Sequence, residues 1–258
     1  FLSARARRDI QPVTAFLTTR VKSLDEDDWG KLKRLLQYLK GTMHMPLILS
    51  ADMTLPRWWV DAAYAVHHDY KGHMGAGMSL GRGMAMSYSW KHKINTKSST
   101  EAEIVGVDDS LAYILWARYF LEEQGYDMEP SLLYQDNISA ILLETNGKAS
   151  SSKRTKHIKV KYFYVKDKID PGEIIVEHCP TEQMWTDINT KPKQGAVFRE
   201  FHEPPPVSPS CPQGGRCSQY RTRTASHCRS VLEDIHKEHK TLKPRMSHNK
   251  VRGWTDQG

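Results

Sequence analysis

The chain has 258 residues, 39% hydrophobic and 26% charged, enough for one large or two modest domains with a real core. No apolar run approaches the ~20 residues that span a bilayer, so no membrane partner is expected. The formal net charge is +7, but residues 202–258 hold ten Lys/Arg against five Asp/Glu, so a nucleic-acid argument must rest on local clusters in the remainder.

The opening FLSARARRDI has no Met and no signal-peptide core, so it reads as a fragment of an intracellular, non-secreted protein. Residues 1–50 read as helical. In DDWGKLKRLLQYLKGT, Leu32, Leu35, Leu36 and Leu39 form an amphipathic stripe; acids at 25–28 suit its start and Gly41 suits its C-cap. PRWWVDAAYAV, MGAGMSLG and MAMSYSWK then read as three strands. Met84, Met86, Tyr88 and Trp90 alternate with small and polar residues, and Gly81-Arg82-Gly83 suits a hairpin turn. Residues 98–124 are helical, with Ile104, Val107, Leu111 and Ile114 on the buried face. SLLYQD is a strand and NISAILLET a helix. RTKHIKVKYFYVKDKI has Ile158, Tyr162, Val165 and Ile169 at helical spacing. EIIVEH is a fifth strand, and Thr181 can cap a last helix containing Asp187.

This order predicts an α/β fold: a five-stranded mixed sheet with flanking helices over residues 55–198. Residues 202–258 hold six of the 13 prolines and few apolar residues, and read as a disordered basic tail. Its Cys211, Cys217 and Cys228, with His227, fit no paired C-x-x-C zinc template, and Cys179 stands alone.

Four acids sit at strand and helix ends that such a sheet brings to one edge: Asp61, Glu103, Asp136 and Asp187. An Asp at a strand end also serves as a turn or cap residue, and Asp187 suits a helix N-terminus regardless of chemistry. Asp61 is harder to explain that way. It is flanked by Trp58, Trp59, Val60, Ala62 and Ala63, where an unpaired charge is costly. A cluster of carboxylates repels itself unless a divalent cation relieves it.

Together these segments resemble a known family. ARRDIQPVTAFLTTRV and DDWGKLKRLLQYLKGT look like the stretch leading out of a copia-type retrotransposon reverse transcriptase. INTKSSTEAEIVGVDDSLAYILWARYFLEEQG, YQDNISAI, RTKHIKVKYFYVKDKI and HCPTEQMWTDINTKP resemble, in order, the motifs of that family's ribonuclease H domain. The resemblance implies a ribonuclease H fold preceded by a reverse transcriptase remnant over 1–50. It implies cleavage of the RNA strand of RNA–DNA hybrids to 5′-phosphate and 3′-hydroxyl products. Two Mg²⁺ ions, with Mn²⁺ able to substitute, would be held by Asp61, Glu103, Asp136 and Asp187 as catalytic acids. The reverse transcriptase portion of the same polyprotein is the implied partner, in a cytoplasmic particle or the nucleus. The sequence departs from copia relatives in VDAAYAV, where a second Asp and a Trp commonly stand. It also lacks the longer His-bearing loop of cellular ribonucleases H, and His178 is assigned no role.

Lys93, Lys97, Lys153, Arg154, Lys156 and His157 are the expected nucleic-acid contacts, with Lys159, Lys161, Lys191 and Lys193 nearby; a solvated basic helix face is the alternative for the 153–161 cluster. Three rival functions stand beside the nuclease. A polymerase needs a Tyr-x-Asp-Asp hairpin, whereas Tyr134-Gln135-Asp136-Asn137 reads as a strand entering a helix. An integrase or other nuclease could share the fold. A decayed remnant could bind nucleic acid without turnover. In KSSTEAEI, Ser98 and Glu101 match a capping box, and the resemblance places the family's catalytic glutamate just before Ile104-Val105, at Glu103.

Overall fold

Three strands in succession, then strands alternating with helices, assemble into a single sheet in the computed structural model, which describes residues 1–51, 55–147 and 159–191. Residues Phe1–Ser208 form one compact unit. The predicted tail lies outside the described residues.

The N-terminal stretch forms α1 (Leu2–Arg5), α2 (Gln11–Arg20) and α3 (Glu26–Gly41). The acids at the start of α3 act as expected. The Asp25 side chain accepts from Asp28 N–H at 2.8 Å, and the Asp28 side chain accepts in return from Asp25 N–H at 3.4 Å, a reciprocal capping box. Gly41 is not the cap. It is the last helical residue, and Thr42 follows as the C-cap, its hydroxyl donating to Tyr38 O at 2.7 Å. The leucine stripe is only partly used: Leu35 is buried, while Leu36 is exposed.

Strands β1 (Ser50–Ala51) and β4 (Gly81–Arg82) make a small antiparallel pair, so Gly81-Arg82 is a short strand within the predicted turn. The main sheet contains β2 (Arg57–Ala63), β3 (His73–Ser79), β5 (Met86–Lys91), β6 (Ser131–Gln135) and β7 (Ile174–His178), in the order β5-β3-β2-β6-β7. The first three form the antiparallel meander; β6 joins β2, and β7 joins β6, both in parallel. The parallel connections run through α4 (Ser99–Glu123), α5 (Ile138–Asn146) and α6 (Lys159–Ile169), because a parallel return requires a crossover. This is the expected five-stranded mixed sheet with flanking helices.

Alternation along the strands decides which side each helix covers. Trp58, Val60 and Ala62 of β2, with Met74, Ala76 and Met78 of β3, share a buried cluster with Val107, Leu111 and Ile114 of α4. Each large apolar side chain so buried contributes roughly 1.5–3 kcal/mol. Ile104, Ala140, Leu143 and Tyr162 knit α4, α5 and α6 together. Tyr162 is therefore core. The opposite face holds Trp59, Cys179 and Met184. Burial pushes the Cys179 thiol up to about 11, so it stays a protonated core group near neutral pH.

Gly106, inside α4, sits where an added Cβ would meet Val60 Cγ1 at 3.5 Å and Ala62 Cβ at 3.6 Å, ordinary contact distances. Gly106→Ala is therefore expected to stabilise the fold by about 0.5–1 kcal/mol through helix propensity, read as a higher urea midpoint with an unchanged slope.

Candidate active site

The sheet register brings two of the predicted acids together. β2 and β6 run parallel with Trp59 beside Tyr134, so two residues further on Asp61 and Asp136 lie side by side at one sheet end. Glu103, in the first turns of α4, reaches the same place: its Oε1 accepts from Ala62 N–H at 3.2 Å. Carboxylate oxygens of Asp61, Glu103 and Asp136 all lie within 4.8 Å of one another. Glu103 Oε2 is buried and has no hydrogen-bond partner among the described residues.

Asp61 and Glu103 are almost wholly buried, at 2% and 4% exposure. Burial pushes the Asp61 carboxyl up, against a hydrogen bond from Thr190 and the nearby Lys191 cation; the charges of Asp187 and Asp136 push it further. Burial pushes Glu103 well above the usual carboxylate range, and Asp61 and Asp136 add repulsion. Such a site favours a proton or a cation.

Asp187 lies outside that trio but is joined to it. It begins α7 (Asp187–Thr190). Its Oδ1 accepts from Lys191 Nζ at 2.8 Å, and the same ammonium stands 3.9 Å from Asp61 Oδ2. Burial works against the Lys191 charge, but its bond to Asp187 and the charges of Asp61, Asp187 and Asp136 raise its pKa. Lys191 thus bridges two of the predicted acids. Thr190 Oγ1 donates to Asp61 Oδ2.

α7 rests directly on the sheet because glycine lies beneath it. A Cβ on Gly75 would stand 2.6 Å from Asn189 Cβ and 2.8 Å from Thr186 O. Gly75 pairs with Asp61 across the β2–β3 ladder, so any side chain there would push α7 off the site.

Two sequence expectations need correction. Thr181 does not cap α7. It lies in a 3-10 turn, Thr181–Gln183, and its hydroxyl donates to Asp136 Oδ2 at 3.1 Å; Thr186 occupies the N-cap position without a side-chain cap bond. Ser98 accepts from Glu101 N–H at 3.2 Å as expected, but the Glu101 carboxylate accepts from Lys97 N–H at 2.7 Å, one residue beyond the N-cap. Glu101 is also buried, so burial does not separate the two glutamates; their partners do. Thr181 was legible only as a cap and Thr190 only as a generic polar residue, since nothing in their spacing reveals the acids they face.

Lys93 and Lys97 are exposed on the approach to α4. Lys161 turns inward to pair with Asp108 of α4. Lys153, Arg154, Lys156 and His157 lie outside the described residues, as does Lys193. Asn137 caps α5, accepting from Ala140 N–H at 3.1 Å, so the Tyr134–Asn137 segment is a strand-to-helix junction and not a polymerase hairpin.

No protein-family model matches the chain. It is 31% identical over 201 residues, 77% of its length, to the retrovirus-related Pol polyprotein from transposon RE2 of Arabidopsis thaliana, and equally so to that from transposon RE1. It is 27% identical over 186 residues, 72% of the chain, to the Pol polyprotein from transposon TNT 1-94 of Nicotiana tabacum. The chain spans only 14% of the length of each of these relatives. Solved structures like it include LC11 RNase H1 isolated from compost, at 15% identity and a TM-score of 0.38, covering 53% of this chain and 92% of that one. RNase H1 from Halobacterium salinarum, at 14% identity, covers 51% and 89% with a TM-score of 0.37. The foamy viral protease-reverse transcriptase in complex with dsDNA, at 16% identity, covers 55% and 96% with a TM-score of 0.36.

Proposed function

We propose that this chain, whose homologues are the retrovirus-related Pol polyproteins of copia-type transposons, cleaves the RNA strand of RNA–DNA hybrids. The observation that carries this reading is the convergence of Asp61, Glu103 and Asp136, with Glu103 Oε2 left unpartnered in a buried position. An all-carboxylate donor set suits a hard divalent cation, Mg²⁺ first and Mn²⁺ as a substitute. Asp61, Glu103 and Asp136 would hold it, with Asp187 completing the set for a second ion. Bound there, the ions supply Lewis-acid activation of water and stabilisation of the leaving 3′-oxygen.

The chain's own groups prepare the site. Thr190 and Thr181 each donate to a carboxylate, fixing the rotamers of Asp61 and Asp136. Lys191 neutralises Asp61 and Asp187. Glu103 anchors to the β2 backbone through Ala62 N–H, leaving its other oxygen, Oε2, without a hydrogen-bond partner among the described residues. Lys93 and Lys97, with Lys153, Arg154, Lys156 and His157, would contact the phosphate backbone, where hybrid is recognised by groove shape and 2′-hydroxyls and not by base sequence. The reverse transcriptase part of the same polyprotein would deliver the hybrid. Among the described residues no helix is long and apolar enough to cross a membrane.

The test is incubation of the purified chain with end-labelled RNA–DNA hybrid and Mg²⁺. Internal cuts in the RNA strand alone, abolished by chelation and restored by Mg²⁺ or Mn²⁺, are expected. Binding of hybrid without cleavage under any of these ions would instead establish the non-catalytic remnant.

A further inference from the structure

The four-residue α7 is too short to hold itself in place, since helix nucleation costs more than its few hydrogen bonds return. It also lacks a side-chain N-cap bond. Its position is borrowed from partners, and these lead away from the acids to the N-terminal helices. Asn189 Nδ2 donates to Ser87 Oγ at 3.0 Å. The Ser87 hydroxyl donates in turn to Gln11 Oε1 at 2.7 Å, and Gln11 Nε2 donates to Ser87 O at 2.6 Å. Gln11, Ser87 and Asn189 are all buried. A second tie holds the backbone of α7: Ser89 Oγ donates to Asn189 O at 2.8 Å.

A serine hydroxyl has one proton. Here Gln11 takes that proton, which leaves a Ser87 lone pair to receive Asn189. Without the Gln11 amide the proton is unassigned, and the Ser87 rotor no longer presents a fixed acceptor to α7. Gln11 is 76 residues from Ser87 and Asn189 is 102 from it, so the relay joins three distant segments.

We propose that Gln11 is a positioning residue for Asp187, acting through Ser87 and Asn189, and that the N-terminal helical segment is thereby a working part of the metal site. The inference rests on the nuclease reading above for its metal component.

The test uses the full chain with Gln11→Leu, which keeps bulk and removes the amide, Ser87→Ala, and their double variant. Three quantities are read: amide exchange across residues 184–191, Mn²⁺ binding followed by electron paramagnetic resonance, and kcat and KM for hybrid at limiting and saturating Mn²⁺. Each single variant is expected to speed exchange in this segment and weaken Mn²⁺ binding roughly 10-fold, the scale of losing an outer partner of a metal ligand. KM for hybrid stays unchanged, and the kcat lost at limiting metal returns at saturation. The double variant matches the singles, as members of one relay do not add. Wild-type exchange or wild-type Mn²⁺ affinity in Gln11→Leu, with that variant folded, overturns the inference and leaves Gln11 a packing residue. If Gln11→Leu fails to fold, Ser87→Ala decides by the same criteria. A wild-type chain that binds no Mn²⁺ and cuts no hybrid overturns the nuclease reading and the metal component together. Exchange data then judge the Gln11–α7 coupling alone.

Discussion

Glu103→Gln is expected to lower hybrid cleavage by roughly 10²–10³-fold or more, the scale of removing one preorganised electrostatic group, while Glu101→Gln retains activity. Two positions separate these glutamates, and both are buried, so the contrast isolates what their partners do. Glu101 closes the start of α4 by accepting from Lys97 N–H, and a glutamine oxygen accepts that bond equally well. A Glu103 carboxylate oxygen clusters with those of Asp61 and Asp136, and a glutamine would replace that charge with a neutral amide.

The same substitution should stabilise the metal-free fold at neutral pH. The folded-state pKa of Glu103 is raised, first by burial and then by Asp61 and Asp136. Its contribution is fully favourable below its unfolded value near 4.5 and is lost as pH rises through the folded value. At pH 7, above the unfolded value, the raised pKa disfavours folding whether Glu103 holds a proton or a charge in the fold, and Gln removes that penalty. A gain on the order of 1–3 kcal/mol is expected, the cost of a buried group left unsatisfied. Thermal melts in EDTA read the gain, and added Mg²⁺ should narrow the gap by stabilising wild type alone. Equal activity in the two glutamine variants, or loss only in Glu101→Gln, would assign the wrong glutamate to the site.

Acid sensitivity is expected to fall in His92→Leu by about 3 kcal/mol between pH 7 and pH 4. His92 follows β5, is 1% exposed, and neither ring nitrogen has a partner among the described residues. Burial drives its pKa from 6.5 down to about 4, with Lys161 and His67 lowering it further and Asp109 opposing. A depressed folded pKa contributes stability above the unfolded value of 6.5, lost as pH falls towards 4. Leucine cannot take up the proton, so that loss disappears. The buried acids titrate with the opposite sign in an overlapping window, but they are common to both proteins and cancel in the difference. Urea midpoints at several pH values supply the measurement. Parallel pH profiles for wild type and His92→Leu would show that His92 does not drive acid unfolding.

His73 behaves differently although its pKa is also pushed down to about 4 by burial. Its Nδ1 faces His67 Nε2 at 3.0 Å and its Nε2 faces Ser89 Oγ at 2.8 Å. Ser89 gives its proton to Asn189 O, so it receives one from His73, which fixes the Nε2–H tautomer. Replacing His73 would therefore disturb α7 as well as a titration, which makes His92 the cleaner probe.

Period and order were readable along the chain. Leu32–Leu39, the Met84–Trp90 alternation and Ile104–Ile114 place helix, strand and helix by spacing alone, because side-chain period follows local backbone geometry. Asp61 stood out too, since a charge among Trp58, Trp59 and Val60 has few structural excuses, whereas a strand-end Asp136 also suited a turn. The capping details were less so. Thr181 has the chemistry of a cap, and only the approach of β7's end to β6 shows that its hydroxyl meets Asp136.

Ser87 and Ser89 show where linear reading stops. Their alternation against Tyr88 and Trp90 marks β5 as half-buried. In the fold α2 and α7 cover the serine face, and those hydroxyls become the link between Gln11 and Asn189. Gly75 is similar: in MGAGMSLG it is one glycine among several, yet only it has Asn189 Cβ pressed against it. The sequence by itself determined the elements and their order, because hydrophobic period acts over a few positions. Only the tertiary structure decided which acids converge, which threonines hold them and that Gln11 reaches α7. Those depend on strand register and close approach between segments 76 to 129 residues apart, which no local pattern encodes.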